Sequence, residues 1–359
     1  MEDVGFNLSD MTKLFKGDME RDLVEFRKKF SQLSSEGRKI AKTGKCFYCN
    51  EPVKKYCNSH SIPASFLKNI SQEGKLSTSF GVIDLVLLDD KVGVNKAGTF
   101  LFICRDCDSK IFKDYESKEN YDGKINQKML AQIAMKNYLK STSKRYFELG
   151  LFESLGSDQG IDVSNINGTK NIDVLENIRG FKRAKKVDVK CIQEEYHLFF
   201  NETLDYVVPM AFQHQVALAV DLEDMVVNNL DNGDKTYKIQ MLHISVFPME
   251  EKSVVMMFID KKDTRYRSFI KQFRALSLDE QLMYINYIIF CYSEEYYLSP
   301  LISEDVLSDE NLQKVAGIVG MSPDDMFLQP IEKLIKHYSL NRANKIPNLL
   351  QENHKLKIE

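Results

Sequence analysis

Two Cys-x-x-Cys pairs, Cys46 with Cys49 and Cys104 with Cys107, constrain this chain more than any other feature. A metal shared between them would draw together segments about 55 residues apart in the sequence. Each knuckle offers two thiolates, and four thiolates complete a tetrahedral Zn²⁺ shell. The chain holds seven cysteines, an odd number, and in a reducing compartment the paired spacing reads as metal ligation rather than as a disulfide framework. Its first residues, MEDVGFNLSDM, carry acids where a secretory leader carries bases before an apolar run. No stretch approaches the roughly 18 consecutive apolar residues of a membrane span. A cytoplasmic chain with no membrane partner is therefore expected. A second ligand set also fits: Cys46, Cys49, Cys57 and His60, because Cys57-x-x-His60 has ligand spacing too. That set leaves Cys104 and Cys107 without a role. Reduced, unliganded cysteines are the third reading.

The 359 residues exceed what one ordinary core needs, so two domains are expected. Charge divides unevenly between the halves. The first 150 residues hold 26 Lys and Arg against 20 Asp and Glu, a net of +6; the remainder hold 23 against 32, a net of −9. The basic half is also the cysteine half, which suits a nucleic-acid-facing module, although a solvated surface explains the difference equally well.

Periodicity places a leading helix from Ser9 or Asp10 to about residue 33, with Leu14, Leu23, Phe26, Phe30 and Leu33 near helical spacing. Residues 44–66 read as a knuckle and hairpin, 80–104 as short strands or a loop inserted in a hairpin, and 126–152 as a helix with Leu130, Ile133 and Met135 or Tyr138 on its buried side. On that helix Lys136, Lys140 and Lys144 share one face, read either as a solvated face or as a track for phosphates. The Gly-, Ser-, Asn- and Asp-rich stretch within 153–185 reads as a linker. Beyond it KKVDVKCIQ, LDYVVPMAFQHQVALAV, KTYKIQMLHISVFPM and KSVVMMFID read as strands of a mostly antiparallel sheet. C-terminal helices follow, and 346–359 reads as a polar tail. The expected organisation is a module over 1–152, a linker over 153–185, and an α+β domain over 186–345 for regulation, targeting or dimerisation. The fold class is α+β throughout.

Between the two knuckles stands SHSIP, with His60 three residues before Pro63. In this order the residues Cys46, Cys49, His60, Pro63, Cys104 and Cys107 resemble the HNH nuclease superfamily, over roughly 44–116. The resemblance implies a ββα-metal fold with a structural four-cysteine zinc. It also implies a metal-dependent endonuclease acting on nucleic acid, DNA ahead of RNA, with a role in bacterial defence against foreign DNA. His60 becomes the general base that takes a proton from the attacking water, and one divalent cation, Mg²⁺ or Mn²⁺, stabilises the charge on the phosphate. Family members usually carry Asp before this histidine, where the chain has Ser59, and His or Asn after the last cysteine, where it has Asp108. Asp108 and Glu116, with Asp114 as a further candidate, are then the expected oxygen ligands of that cation beside His60. Asp108 reads equally as a helix cap. The alternative function is a non-catalytic zinc module that binds nucleic acid or a protein partner. A thiol oxidoreductase lacks the βαβ context its motif needs. His197, His214 and His243 read as core or surface residues. Arg265, Arg267, Lys271 and Arg274 gather on one helix face, read as a solvated basic face or as a receiver for an anion.

Overall fold

The computed structural model describes residues 28, 32, 35–79, 82, 91–159, 164–230, 232, 234, 236–318 and 331–357. The leading helix expected over 9–33 lies outside them, apart from Lys28 and Gln32, which are helical. Among the described residues no helix is long and apolar enough to cross a membrane.

Along the chain run β1 (Ser59–His60), α1 (Ala64–Ile70), β2 (Lys75–Thr78), β3 (Lys91–Gly93), β4 (Thr99–Phe100), α2 (Arg105–Ile111), α3 (Lys113–Glu116), α4 (Gln127–Gln159) and α5 (Ser164–Lys190). Strands β5 (Tyr196–Leu204), β6 (Met210–Val216), β7 (Leu242–Pro248) and β8 (Ser253–Asp260) follow. Then come α6 (Arg267–Arg274), α7 (Leu278–Tyr292), β9 (Tyr296–Leu298), α8 (Glu304–Leu307), α9 (Glu310–Ala316) and α10 (Ile331–Tyr338). The class is α+β with an antiparallel sheet, as expected. The chain forms two units: residues 1–61 with 99–193, and residues 62–98 with 194–359.

In the first unit β1 and β4 pair antiparallel, Ser59 opposite Phe100 and His60 opposite Thr99. Helices α4 and α5 form an antiparallel pair. Gln132 near the start of α4 reaches Asp188 near the end of α5 (3.0 Å), and Arg145 reaches Asp173 (3.1 Å). The stretch expected as a linker over 153–185 is thus mostly helix, and the chain changes unit at 193/194 instead. The strand expected at KKVDVK is the last part of α5. Its Val residues favour a strand in isolation, but Val174, Phe181, Ala184 and Val187 are buried at helical spacing, and tertiary packing outweighs that weak preference.

Gly180 makes the close helix pairing workable. A Cβ there would collide with Cζ of Tyr138, a residue that is 5 % exposed. A buried ring has no room to swing aside, so overpacking of about 1–3 kcal/mol outweighs the roughly 1 kcal/mol that Ala gains over Gly in a helix. Gly180→Ala is expected to lower the melting temperature by a few degrees, read by circular dichroism. An unchanged or raised value would mean that the ring relaxes freely.

The second unit is built on a seven-stranded sheet in the order β3-β2-β9-β6-β7-β8-β5. The described residues of the insertion between the knuckles supply α1 and two adjacent strands, β3 at the edge of this sheet and β2 beside it. Along the central strands alternate residues face opposite sides. Leu242, Ile244 and Val246 join the main core with Val255, Met257 and Ile259. On the other side Phe247 stacks on Phe66 of α1, centroids 4.8 Å apart, and His243 on Phe258, 4.7 Å apart. Ser277 and Glu280 form a reciprocal capping box at the start of α7. The expected polar tail is packed as well: Leu349 and Leu350 are fully buried, and the Leu356 N–H donates to the carbonyl of Val207.

Candidate metal centre and a buried lysine

The first knuckle is a tight turn closed by the backbone. Gly44 (φ 74°) and Asn50 (φ 63°) adopt left-handed conformations, which glycine and asparagine tolerate best. Cys46 N–H donates to Glu51 O (2.8 Å), Asn50 N–H to Cys46 O (2.8 Å), and Val53 N–H to Gly44 O (3.0 Å). The second knuckle is the start of α2, with Cys104 at its N-cap and Cys107 in its first turn. Two backbone bonds join the knuckles: Phe47 N–H to Phe102 O (3.0 Å) and Cys57 N–H to Ile103 O (2.8 Å). Phe47 stacks on Phe102 at 4.6 Å and meets Phe181 of α5 edge-on at 5.1 Å, while Lys185 Nζ donates to Tyr48 O (2.7 Å).

The consequence is a four-thiol cluster. The Sγ atoms of Cys46, Cys49, Cys104 and Cys107 all lie within 4.8 Å of one another. Sulfur atoms bound to zinc at about 2.3 Å in a tetrahedron stand roughly 3.8 Å apart, so the donor set fits a metal ion and is compatible with zinc. Cys104 N–H donates to Cys46 Sγ (3.2 Å). Burial pushes the Cys46 thiol up, but backbone donors from Cys49, Cys104 and Tyr48 outweigh it and bring it down to about 7. The rival ligand set is not assembled: Cys57 lies apart from the cluster, its thiol donating to Asp108 Oδ2 (3.3 Å). Burial, followed by the Asp108 charge, pushes that thiol up to about 11.

Beside the cysteines lies a second constellation that the sequence reading did not foresee. Lys136 is 1 % exposed. Its Nζ contacts Asp108 Oδ1 (3.0 Å), Ser59 Oγ (3.1 Å) and Glu116 Oε1 (3.2 Å), and sits 3.7 Å from the centroid of the Phe112 ring. Ser59 Oγ donates to Asp108 Oδ1 at 2.6 Å. Burial would raise the Asp108 carboxyl, but the Lys136 charge and the Ser59 and Cys57 donors outweigh it and hold it below its ordinary value. Glu116 is raised, by burial first.

Lys136 is therefore not part of an exposed stripe with Lys140 and Lys144, which are half-buried and engaged with neighbours of their own. A signal for this was present: MLAQIAMKNYL is apolar all round, so any polar residue in it must be buried and partnered. Gln132, fully buried one turn earlier, obeys the same rule by donating to Asp114 (2.7 Å) and Asp188 (3.0 Å). Asp114 also pairs with Lys128 at 3.1 Å. Asp108 is not a helix cap; it lies inside α2, whose N-cap is Cys104. His60 is half-buried on β1, opposite Thr99. Among the described residues His60, Asp108 and Glu116 do not form a three-ligand cluster like that of the cysteines.

Compared with protein-family models, curated proteins and solved structures, the chain finds no match in any of the three.

Proposed function

We propose that the first unit is a zinc-anchored module of the HNH type that hydrolyses phosphodiester bonds of nucleic acid, DNA ahead of RNA, with His60 as general base. The observation that carries this reading is the order of elements around His60. The histidine stands on a strand leaving one knuckle, and that strand pairs with β4, which leads through Phe102 and Ile103 into the second knuckle and α2. A metal in the four-cysteine cluster would act on structure alone, because four thiolates leave no open position for water or substrate. A near-neutral imidazole supplies what an anionic diester and a weak nucleophile need, a proton acceptor on the attacking water. A role in bacterial defence against foreign DNA rests on the resemblance alone.

The resemblance also implies Mg²⁺ or Mn²⁺ on Asp108 and Glu116. Their arrangement does not fit such an ion, because the Lys136 ammonium already bridges both carboxylates, and no step is assigned to it. This observation favours the second reading, a zinc module that binds nucleic acid or a protein without cutting. One assay separates the two: full-length protein and His60→Ala are incubated with plasmid DNA, linear DNA and RNA, with Mg²⁺, Mn²⁺ or EDTA. Cleavage is expected from the wild type and a loss of about 10²-fold or more from the variant, the usual contribution of a general base. Binding without cleavage by both proteins, each retaining its metal, would establish the second reading.

A further inference from the structure

The second unit carries a basic cleft, although residues after 150 are net acidic. It is a hollow of about 560 Å³ lined by His197 of β5, Ile259 of β8, Lys261, Asp263 and Thr264 of the following turn, and Arg267, Ile270, Lys271 and Arg274 of α6. Helical geometry accounts for the gathering: 267, 271 and 274 fall at i, i+4 and i+7 on one face, while Phe269 and Phe273 are buried in the core. Arg265 belongs elsewhere, turned to the Lys238 carbonyl and to Asn228 Oδ1. Four cations thus face one carboxylate, Asp263. Lys261 has an ion pair with Glu194 (3.0 Å), a residue whose side chain is 82 % exposed. Among the described residues no carboxylate pairs with Arg267, Lys271 or Arg274. Arg274 Nη2 lies 3.1 Å from His197 Nε2. A guanidinium only donates, so the imidazole accepts and is neutral.

Gathering four cations with fewer carboxylates to offset them is unfavourable unless a further anion binds. We propose that this cleft binds a small phosphorylated ligand of nucleotide size. Its volume falls in the usual range of about 300–1,000 Å³ for small-molecule sites. Residues 267 and 274 are separated by about 10 Å along the helix, a span that suits two or three linked phosphates. Ile259 and Ile270 provide an apolar wall for a ring. The inference concerns the second unit and stands apart from the reading of the first.

The test is calorimetric titration of the full chain with pyrophosphate, ATP, adenosine and a single-stranded oligonucleotide, at low and moderate salt. Pyrophosphate and ATP are expected to bind saturably, ATP more tightly, and adenosine at least tenfold more weakly than ATP. Affinity is expected to fall as salt screens the cations. Arg267→Gln with Lys271→Gln changes only exposed side chains and is expected to weaken ATP at least tenfold, with an unchanged circular dichroism spectrum. No saturable binding of either phosphate probe, unchanged ATP affinity in the double variant, or binding of the oligonucleotide alone would each overturn the proposal.

Discussion

Cys104→Ser is expected to strip the metal from the protein and unfold the region around the knuckles, whereas Cys57→Ser leaves metal content at one equivalent. Cys104 is one of the four clustered thiols, while its N-cap position on α2 and its N–H bond to Cys46 Sγ survive in serine, so the variant removes the thiol alone. Little besides a metal would hold the knuckles together there. The strands that join the knuckles to the hairpin are two residues long each, and pairing so short is not stable by itself. Structural zinc contributes on the order of 10 kcal/mol to small domains, far more than a two-residue ladder. Elemental analysis and limited proteolysis check the outcome. New cleavage sites within 44–61 and 99–112 are expected for Cys104→Ser and for protein stripped by a strong chelator. Metal loss on substituting Cys57 would instead point to the other ligand set.

Lys136→Ala is expected to destabilise the first unit by the lower end of the about 3–5 kcal/mol that removing one partner of a buried ion pair usually costs. The upper part of that range is unreachable, because Asp108 and Glu116 keep 22 % and 37 % of their side chains exposed and water recovers part of the lost interaction. A change near 3 kcal/mol is therefore expected. The diagnostic is the double variant. Lys136→Met with Asp108→Asn removes both charges and retains the bulk, so it is expected to be more stable than the sum of the single changes by at least about 1 kcal/mol. Denaturant melts of the four proteins check this. Simple additivity would show that Asp108 does not hold the lysine, leaving Glu116 and the Phe112 ring as its partners.

The parts legible in the sequence are those whose signal is local. Cys-x-x-Cys spacing marked the four thiols because a knuckle is built from adjacent residues, and the alternating runs KIQMLHISVFPM and KSVVMMFID marked β7 and β8. The reading failed where a distant partner decides. Nothing within KKVDVK says that Val187 will be buried or that Gln132 of α4 will reach Asp188 in a helical segment. The Gly- and Asn-rich stretch before it looked like a boundary because its composition suits turns, yet its described residues are helical, to Gln159 and again from Ser164. Lys136 was misplaced for a related reason: i, i+4 spacing with two other lysines suggested a shared exposed face, while the carboxylates that bury it come from α2 and α3. The insertion between His60 and Cys104 likewise gave no local sign that its strands complete the sheet of another unit.

X-ray absorption at the zinc edge distinguishes a metal held by four cysteines, with His60 outside its shell, from one that His60 ligates. Four sulfur neighbours at about 2.3 Å and no nitrogen are expected. A nitrogen neighbour at about 2.0–2.1 Å would overturn the four-cysteine assignment and would withdraw His60 from service as a base.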